Sequence, residues 1–140
     1  MSVVIDYQLS VDELNRTLDF LMEDAYWNRW RSRDQIRQQF ETAWKVYAVR
    51  SSETGELLGT VRVSSDGVSY GYIADGFVFP GHRGDGVGST VLEVLLADPE
   101  AADFRWMLHT ADAQPLYSRF GFISYGPTYM ERPSRHSASH

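Results

Sequence analysis

Apolar residues follow a helical period in the first third of the chain, where two stretches each place them along one face of a helix. Ser10 with Glu13, and Ser32 with Gln35, stand just ahead of these stretches. A serine followed three residues later by Glu or Gln is the capping box that satisfies the free amides of a helix start. The pattern predicts two helices, with apolar positions at Leu14, Leu18, Leu21, Ile36, Phe40, Ala43 and Trp44.

β-Branched and aromatic residues dominate the following segments in short runs that turn residues separate. The predicted strands cover residues 3–5, 46–49, 57–63, 68–79, 104–108 and 122–125. Asp66 and Gly67 form a hairpin signal between two of them. A third helix is predicted to begin at Val87, and Pro115 opens a short fourth one. The element order is βααβββαβαβ, which is typical of a mixed α/β domain.

The composition fits one domain and excludes several kinds of chemistry. With 140 residues, one core is expected over residues 1–131, followed by a polar, disordered tail over 132–140. Cysteine is absent, which excludes disulfides, thiolate metal sites and a cysteine acyl-enzyme. A net charge of −6 argues against nucleic acid as a partner. No apolar run reaches the roughly 20 residues of a membrane span and no signal peptide is recognisable. We therefore expect a cytoplasmic protein that binds neither membrane nor metal.

A glycine-rich segment lies between the fourth predicted strand and the third helix. Residues 83–90 read Arg-Gly-Asp-Gly-Val-Gly-Ser-Thr, directly after Pro80 and Gly81. Glycines let the backbone approach a bulky anion, and the free amides and dipole of a helix start favour negative charge there. A Walker loop would need a lysine after Gly88, and a Rossmann fingerprint would need glycine in place of Ser89. The pattern alone leaves two interpretations open, a pyrophosphate site of another kind or a glycine turn without a ligand.

The sequence resembles the GNAT superfamily of acyl-CoA N-acyltransferases at two separate motifs. Arg83, Gly86 and Gly88 match the family's Arg/Gln-x-x-Gly-x-Gly/Ala loop, and residues 78–80 match the Val-x-Pro that commonly precedes it. Residues 116–122, Leu-Tyr-Ser-Arg-Phe-Gly-Phe, match the family's Leu-Tyr-x-x-x-Gly-Phe segment. The resemblance implies the GNAT fold, in which helices flank a mostly antiparallel sheet that splays apart between its fourth and fifth strands.

The resemblance, which covers residues 45–125 well, implies acetyl-CoA as the co-substrate. In this family the pantetheine arm lies between the splayed strands, and the glycine-rich loop holds the pyrophosphate. Asp85 departs from the family, which often has a basic or neutral residue at that position. The residues that the resemblance assigns to the cofactor are Phe77, Val78, Phe79, Arg83, Gly84, Asp85, Gly86, Val87, Gly88, Ser89, Thr90, Asp112, Leu116, Tyr117 and Phe120.

Two side chains match the positions of the family's proton-transfer groups. Tyr117 resembles the general acid that protonates the leaving thiolate, with a tyrosine of the core as the alternative. Asp75 interrupts an apolar strand, where an unpaired carboxylate is costly, and acidic residues on this strand often act as the base in the family. A structural hydrogen-bond acceptor is the alternative for Asp75, and a water chain or His109 is the alternative base.

The acceptor pocket of the family is built by the connection between the first two helices and by the fourth strand. Aromatic rings in these segments could stack on a flat acceptor or enclose a cation. The residues assigned to the pocket are Tyr26, Trp27, Trp30, Tyr70, Tyr72 and His109. The resemblance thus predicts direct acetyl transfer to a primary amine of a small molecule, and many relatives form homodimers. Other acyl-CoA chemistry and a non-catalytic CoA-binding module remain the alternatives.

Overall fold

The computed structural model describes residues 2–28, 30–84 and 86–136. Within these ranges the chain forms four α-helices and seven strands. The helices are α1 (Val11–Glu23), α2 (Arg33–Thr42), α3 (Val87–Leu96) and α4 (Gln114–Ser118). The strands are β1 (Val3–Asp6), β2 (Lys45–Ser51), β3 (Leu57–Ser64), β4 (Tyr70–Val78), β5 (Arg105–His109), β6 (Ile123–Ser124) and β7 (Tyr129–Arg132). Their order contains the predicted βααβββαβαβ series and confirms the mixed α/β fold class.

The last strand, β7, has no counterpart in the sequence analysis. It lies between β5 and β6 and pairs antiparallel with both. Its four residues contain one fully buried apolar side chain, Met130, which is too little alternation to stand out as a strand. Beyond it, Arg135 and His136 both contact the carboxylate of Asp103, so the described part of the tail lies against the domain.

The seven strands form one sheet in the order β1-β2-β3-β4-β5-β7-β6. The neighbours β4 and β5 run parallel, and the other described pairs are antiparallel. The parallel register runs from Tyr70 opposite Arg105 to Ile73 opposite Leu108, and β4 then continues alone to Val78. The second half of β4 therefore has a free edge, which is the predicted separation of the fourth and fifth strands.

A β-bulge accompanies the point where the two strands separate. The β3–β4 register shifts between Thr60 and Arg62, so that Ala74 and Phe77 face residues only two apart on β3. Asp75, in the bulge, has φ = 49°, a left-handed conformation that Asp adopts more readily than most residues. A bulge bends its strand and re-aims a side chain. Here it directs β4 away from β5 and buries the Asp75 carboxylate.

Helices cover both faces of the sheet. The predicted capping boxes of α1 and α2 are both formed; Ser10 Oγ accepts from the Glu13 amide at 3.1 Å, and the Glu13 carboxylate accepts from the Ser10 amide at 2.9 Å. The predicted positions Leu14, Leu18, Leu21, Ile36 and Phe40 pack on one face of the sheet, together with Phe77 and Phe79. The prediction was wrong for Ala43 and Trp44, because α2 ends at Thr42 with Ala43 already extended, and Trp44 packs against the cluster on the opposite face. The opposite face carries α3, whose Leu92 packs with β4, β5 and β7 in a second cluster.

Candidate active site

Two cavities meet where β4 and β5 separate. The larger, of about 380 Å³, lies below the α1–α2 connection, and the smaller, of about 160 Å³, lies between β4, α3 and α4. Four residues line both cavities, namely Ile73, Gly76, Ala113 and Tyr117. A molecule in the smaller cavity can therefore reach a molecule in the larger one at this junction.

The smaller cavity has the shape and chemistry of a channel for a thin, partly apolar arm. Its walls are mainly Val, Leu and Ile side chains from β2, β3, β4, α3 and α4. One side is formed by β4 from Gly76 to Val78, beyond the last residue pair with β5. Backbone groups on such a free strand edge can pair with an added extended chain. These features fit the pantetheine arm of coenzyme A.

A loop that suits an anion adjoins this channel. Gly84 and Gly86 have φ values of 90° and 76°, which favour glycine because a Cβ would be strained there. Gly86 is the N-cap residue of α3, and no side chain caps this helix start. The first amides of α3 lack carbonyl partners in the preceding turn, so they can donate to a phosphate. The predicted ligand Asp85 lies outside the described residues.

The side chains around the loop brace it. Arg83 Nε donates to the carbonyl of Val78 at 3.1 Å, which ties the loop back to the end of β4. Arg119 donates to Ser89 Oγ at 3.0 Å, and Thr90 Oγ1 donates to the Gly86 carbonyl at 3.2 Å. Both hydroxyl groups lie at the helix start, where the resemblance predicted phosphate contacts.

The other residues predicted to contact the cofactor divide into three groups. The structure brings Phe77, Val78, Gly88, Leu116 and Tyr117 to the wall of the smaller cavity. It places Asp112 on the larger cavity instead. The remaining three are turned toward apolar clusters, and these are Phe79, Val87 and Phe120.

Tyr117 lies at the junction of the two cavities. Its ring packs edge-on against Phe122, with 5.5 Å between ring centroids. Its hydroxyl makes no hydrogen bond to any described residue, so it is available to a bound molecule. Burial, together with the nearby Asp112 carboxylate and Tyr26 hydroxyl, raises the pKa of Tyr117 to about 12. The hydroxyl therefore keeps its proton at neutral pH and can act as a proton donor.

Asp75 lies at the floor of the larger cavity, in a dense set of donors. Its carboxylate, 1% exposed, accepts from Trp27 Nε1 at 2.7 Å and from Arg31 Nη1 and Nη2 at 2.9 and 2.8 Å. Arg62 Nε adds a fourth contact at 3.0 Å. Although burial opposes ionisation, the two guanidinium groups and the indole N–H hold the pKa of Asp75 below its ordinary value. A carboxylate with a lowered pKa is a weak base.

The arginines around Asp75 are absent from the residues that the sequence analysis assigned to the site. Arg62 is a charged residue in β3, an internal strand of the sheet, and this position is the sequence signal for a buried partner. Arg31 closes the aromatic segment between α1 and α2. Their common partner was not predictable, because the pairing joins segments 13 and 44 residues apart in the chain.

Five of the six residues that the resemblance assigns to the acceptor pocket line the larger cavity. The wall of the larger cavity includes Tyr26, Trp27, Trp30, Tyr72 and His109. Tyr70 is not part of it, because it lies at the start of β4, two residues before Tyr72 and at the end of the strand away from the bulge. His109 Nδ1 lies 2.9 Å from Thr128 Oγ1 on the rim.

The described residues show neither a cluster of three or more His, Asp or Glu side chains suited to a metal ion nor a helix long and apolar enough to cross a bilayer.

Comparison with known proteins agrees with this geometry. The sequence profile of the "Acetyltransferase (GNAT) family" matches residues 14–122. A Gibberella zeae protein named "Putative acetyltransferase FG08082" is 32% identical over 108 residues, which are 62% of this chain and 56% of that protein. The chain thus spans little more than half the length of this curated relative.

Solved structures share the fold. A GNAT family protein from Xanthomonas campestris pv. campestris superposes with a TM-score of 0.79 and 25% identity, over 89% of this chain and 87% of that chain. A chimera of the spermidine N-acetyltransferase SpeG from Vibrio cholerae and hSSAT has a TM-score of 0.73 and 18% identity, with full coverage of both chains. Because the family profile covers most of the sequence and the structural neighbours share the sheet and its helices, this chain belongs to the GNAT family of acetyltransferases.

Proposed function

We propose that the chain transfers an acetyl group from acetyl-CoA to a primary amine of a small molecule. The observation that carries this proposal is the position of Tyr117, whose unbonded, protonated hydroxyl lies where the two cavities join. A channel for the thioester donor and a separate cavity for the acceptor meet at this group. The family match supports the same reaction class.

The donor occupies the smaller cavity and the glycine-rich loop. The uncapped start of α3 at Gly86 binds the pyrophosphate, because its free amides and its dipole both favour negative charge. The free edge of β4, from Gly76 to Val78, binds the amide groups of the pantetheine arm. This arrangement brings the thioester to the junction beside Tyr117.

The transfer is direct and needs two proton movements. The amine nitrogen attacks the thioester carbonyl carbon, a C–N bond forms, and the C–S bond then breaks. Tyr117 gives its proton to the departing sulfur and recovers one from solvent. An acceptor that binds as an ammonium ion first loses one proton to solvent, and the attacking nitrogen loses a second, which balances the proton that Tyr117 recovers. The products are therefore an N-acetyl amine, free CoA thiol and the one proton of the original ammonium ion.

A water chain is the base that the surroundings favour. Asp75, the first candidate from the sequence, already holds four hydrogen bonds and two ion pairs, and its base role stays an untested prediction. Deprotonating an ammonium ion with this carboxylate would require breaking its contacts with Arg31 and Arg62. Asp75 instead acts as a positioning residue that fixes the floor of the acceptor cavity.

The acceptor is a small molecule rather than a protein tail. The larger cavity of about 380 Å³ is roofed by the Tyr26–Trp27 pair, whose rings meet edge-on with 5.1 Å between centroids. The spermidine N-acetyltransferases among the structural neighbours act, by their name, on a small amine. At their low sequence identity, these neighbours support the shared fold alone. The class of acceptor is supported by the size of the cavity.

Thiol release from acetyl-CoA over a panel of small amines tests the proposal. We expect turnover with at least one acceptor, and we expect Tyr117→Phe to lower kcat by about 10²-fold or more while the CoA dissociation constant stays within about twofold. Ser118→Ala, on the same helix and outside both cavities, is the matched control. Calorimetry that detects CoA binding without any turnover would favour the non-catalytic CoA-binding module, and a fully active Tyr117→Phe variant would remove the general-acid role.

A further inference from the structure

Resting on the acetyltransfer proposed above, we infer that the amine acceptor also carries a carboxylate, and that Arg62 binds this carboxylate at the floor of the larger cavity. The acceptor class is therefore a small amino acid-like molecule rather than a polycationic amine. The inference depends on which N–H groups of Arg62 have hydrogen-bond partners within the protein.

Arg62 is buried but only partly satisfied. Its side chain is 10% exposed, and its Nε donates to Asp75 Oδ2 at 3.0 Å. The N–H groups of Nη1 and Nη2 make no hydrogen bond with any described residue, and Arg62 lines the larger cavity. Neither nitrogen is among the fully buried side-chain atoms that lack a partner, so these N–H groups face the open cavity instead of the protein interior. A ligand in the cavity supplies the missing acceptors.

Arg31, the other described arginine that lines the cavity, differs in this respect. Its Nε donates to Asn28 at 3.2 Å, its Nη1 donates to Gln39 and Asp75, and its Nη2 donates to Asp75. The donor groups of Arg31 thus bind other protein groups and link the α1–α2 connection to β4. Of these two arginines, Arg62 is the one that keeps N–H groups available to a ligand.

The charges around the cavity favour an acceptor with one negative group. Two guanidinium groups share the single buried carboxylate of Asp75, so one positive charge at the floor has no partner. A carboxylate carries one negative charge and matches the planar fork of a guanidinium group with two parallel hydrogen bonds. A polyamine would place its cations against this surplus positive charge.

The amine end of the acceptor also has a counterpart among the residues that line the cavity. Asp112 is exposed there and lies close to the Tyr26 hydroxyl, which donates to its Oδ1 at 3.3 Å. A carboxylate at this rim attracts the ammonium group of the acceptor toward the junction at Tyr117. Arg62 and Asp112 together orient a molecule that bears opposite charges at its two ends.

Matched acceptors give a direct test. For each amino acid in a panel, thiol release is compared with its carboxamide and with the decarboxylated amine, all with acetyl-CoA. We expect kcat/KM to be higher for the carboxylate by about tenfold or more, because the other two leave Arg62 unpaired. Equal or better turnover of the carboxamides, or turnover confined to polyamines or phosphorylated amines, would overturn the inference.

Arg62 variants separate ligand binding from structural support. Arg62→Met removes the charge, Arg62→Lys keeps a cation beside Asp75 without the planar fork, and Arg37→Gln on the surface of α2 is the control. We expect both Arg62 variants to lose the preference for carboxylate over carboxamide, mainly through KM, while Arg37→Gln retains it. An Arg62→Met variant that melts as a folded protein and keeps the full preference would contradict the inference.

A binding experiment keeps the inference testable when no acceptor is turned over, which by itself would count against acetyltransfer. Calorimetry then compares N-acetyl amino acids with their carboxamides as probes of the wild-type cavity. Tighter binding of the carboxylates, lost in Arg62→Lys, would support the anion site without the reaction. Equal binding of the two sets would reject the anion site.

Discussion

Arg31 and Asp75 form a two-point ion pair, with Nη1 to Oδ2 at 2.9 Å and Nη2 to Oδ1 at 2.8 Å. The pair joins the connection between α1 and α2 to the bulge of β4. Trp27, four residues before Arg31, donates to the same carboxylate. The segment that roofs the larger cavity is therefore held by one buried carboxylate at its floor, so changes at Asp75 should affect both the stability of the fold and the shape of the cavity.

Removing the Asp75 carboxylate should destabilise the fold strongly. Asp75→Ala leaves two arginines and an indole N–H without their acceptor, and breaking a buried ion pair from one side costs about 3–5 kcal/mol. Asp34→Ala is the matched control, because Asp34 pairs with Arg37 on the surface, where such pairs contribute about 0–1 kcal/mol. Unfolding in urea measures both. Equal losses for the two variants would show that the Asp75 contacts do not stabilise the native state.

The Asp75 carboxylate should also make the free energy of unfolding depend on pH. The folded pKa of Asp75 is lower than its unfolded value of about 3.9, so the folded state favours the ionised form. The stabilisation is then fully present above pH of about 4 and is lost as the pH falls toward the folded pKa. The stability difference between wild type and Asp75→Asn, measured by urea unfolding from pH 7 to 3, should shrink below pH of about 4. A stability difference that grows as the pH falls would show that folding raises the pKa of Asp75 instead of lowering it.

Alanine substitutions at two glycines can separate an effect on cofactor binding from a general loss of stability caused by backbone strain. Gly86 and Gly55 have φ values of 76° and 74°, and a Cβ at either position would meet no atom within 4 Å. Alanine at either position should therefore cost a similar amount of stability, roughly 1–2 kcal/mol. Gly86 opens α3 at the proposed pyrophosphate site, whereas Gly55 lies in the turn between β2 and β3.

Only Gly86→Ala should weaken CoA binding, by about tenfold or more, which corresponds to about 1.4 kcal/mol. Gly55→Ala should bind CoA as wild type does. Calorimetry with CoA and thermal melting of both variants check the pair of expectations. If both variants lose affinity to the same extent, general destabilisation rather than the loop geometry is responsible.

Local patterns account for what the sequence could predict. The capping boxes at Ser10 and Ser32, the turn at Gly67 and the helix opened by Pro115 each depend on neighbours within a few residues, and the structure has them all. The glycine loop and Tyr117 were found because their motifs are continuous in the chain. These features place the junction of the two cavities, though not the side chains that surround it.

The features that the sequence could not predict depend on contacts between residues far apart in the chain. Asp75 was visible as a polar residue in an apolar strand, but its conformation follows from a one-residue register shift against β3, which no local pattern encodes. Arg62 likewise lies one strand away, and its unpaired donors depend on the walls of the cavity. Strand β7 needs β5 and β6 on either side of it before Met130 becomes a core residue.

Tyr117 should remain a proton donor well into the alkaline range. A free phenol ionises at about pH 10, whereas burial and the neighbouring Asp112 raise the pKa of Tyr117 to about 12. The acid form is therefore present throughout pH 7 to 10, and kcat should not fall over that range through loss of this proton. Profiles of kcat for wild type and Tyr117→Phe, with the acceptor saturating at each pH, measure this. A falling limb centred near pH 10 in wild type that disappears in Tyr117→Phe would mean that the hydroxyl titrates as an exposed phenol. Water around this ring would stabilise the phenolate, and the general-acid step would then be limited to neutral and acidic pH.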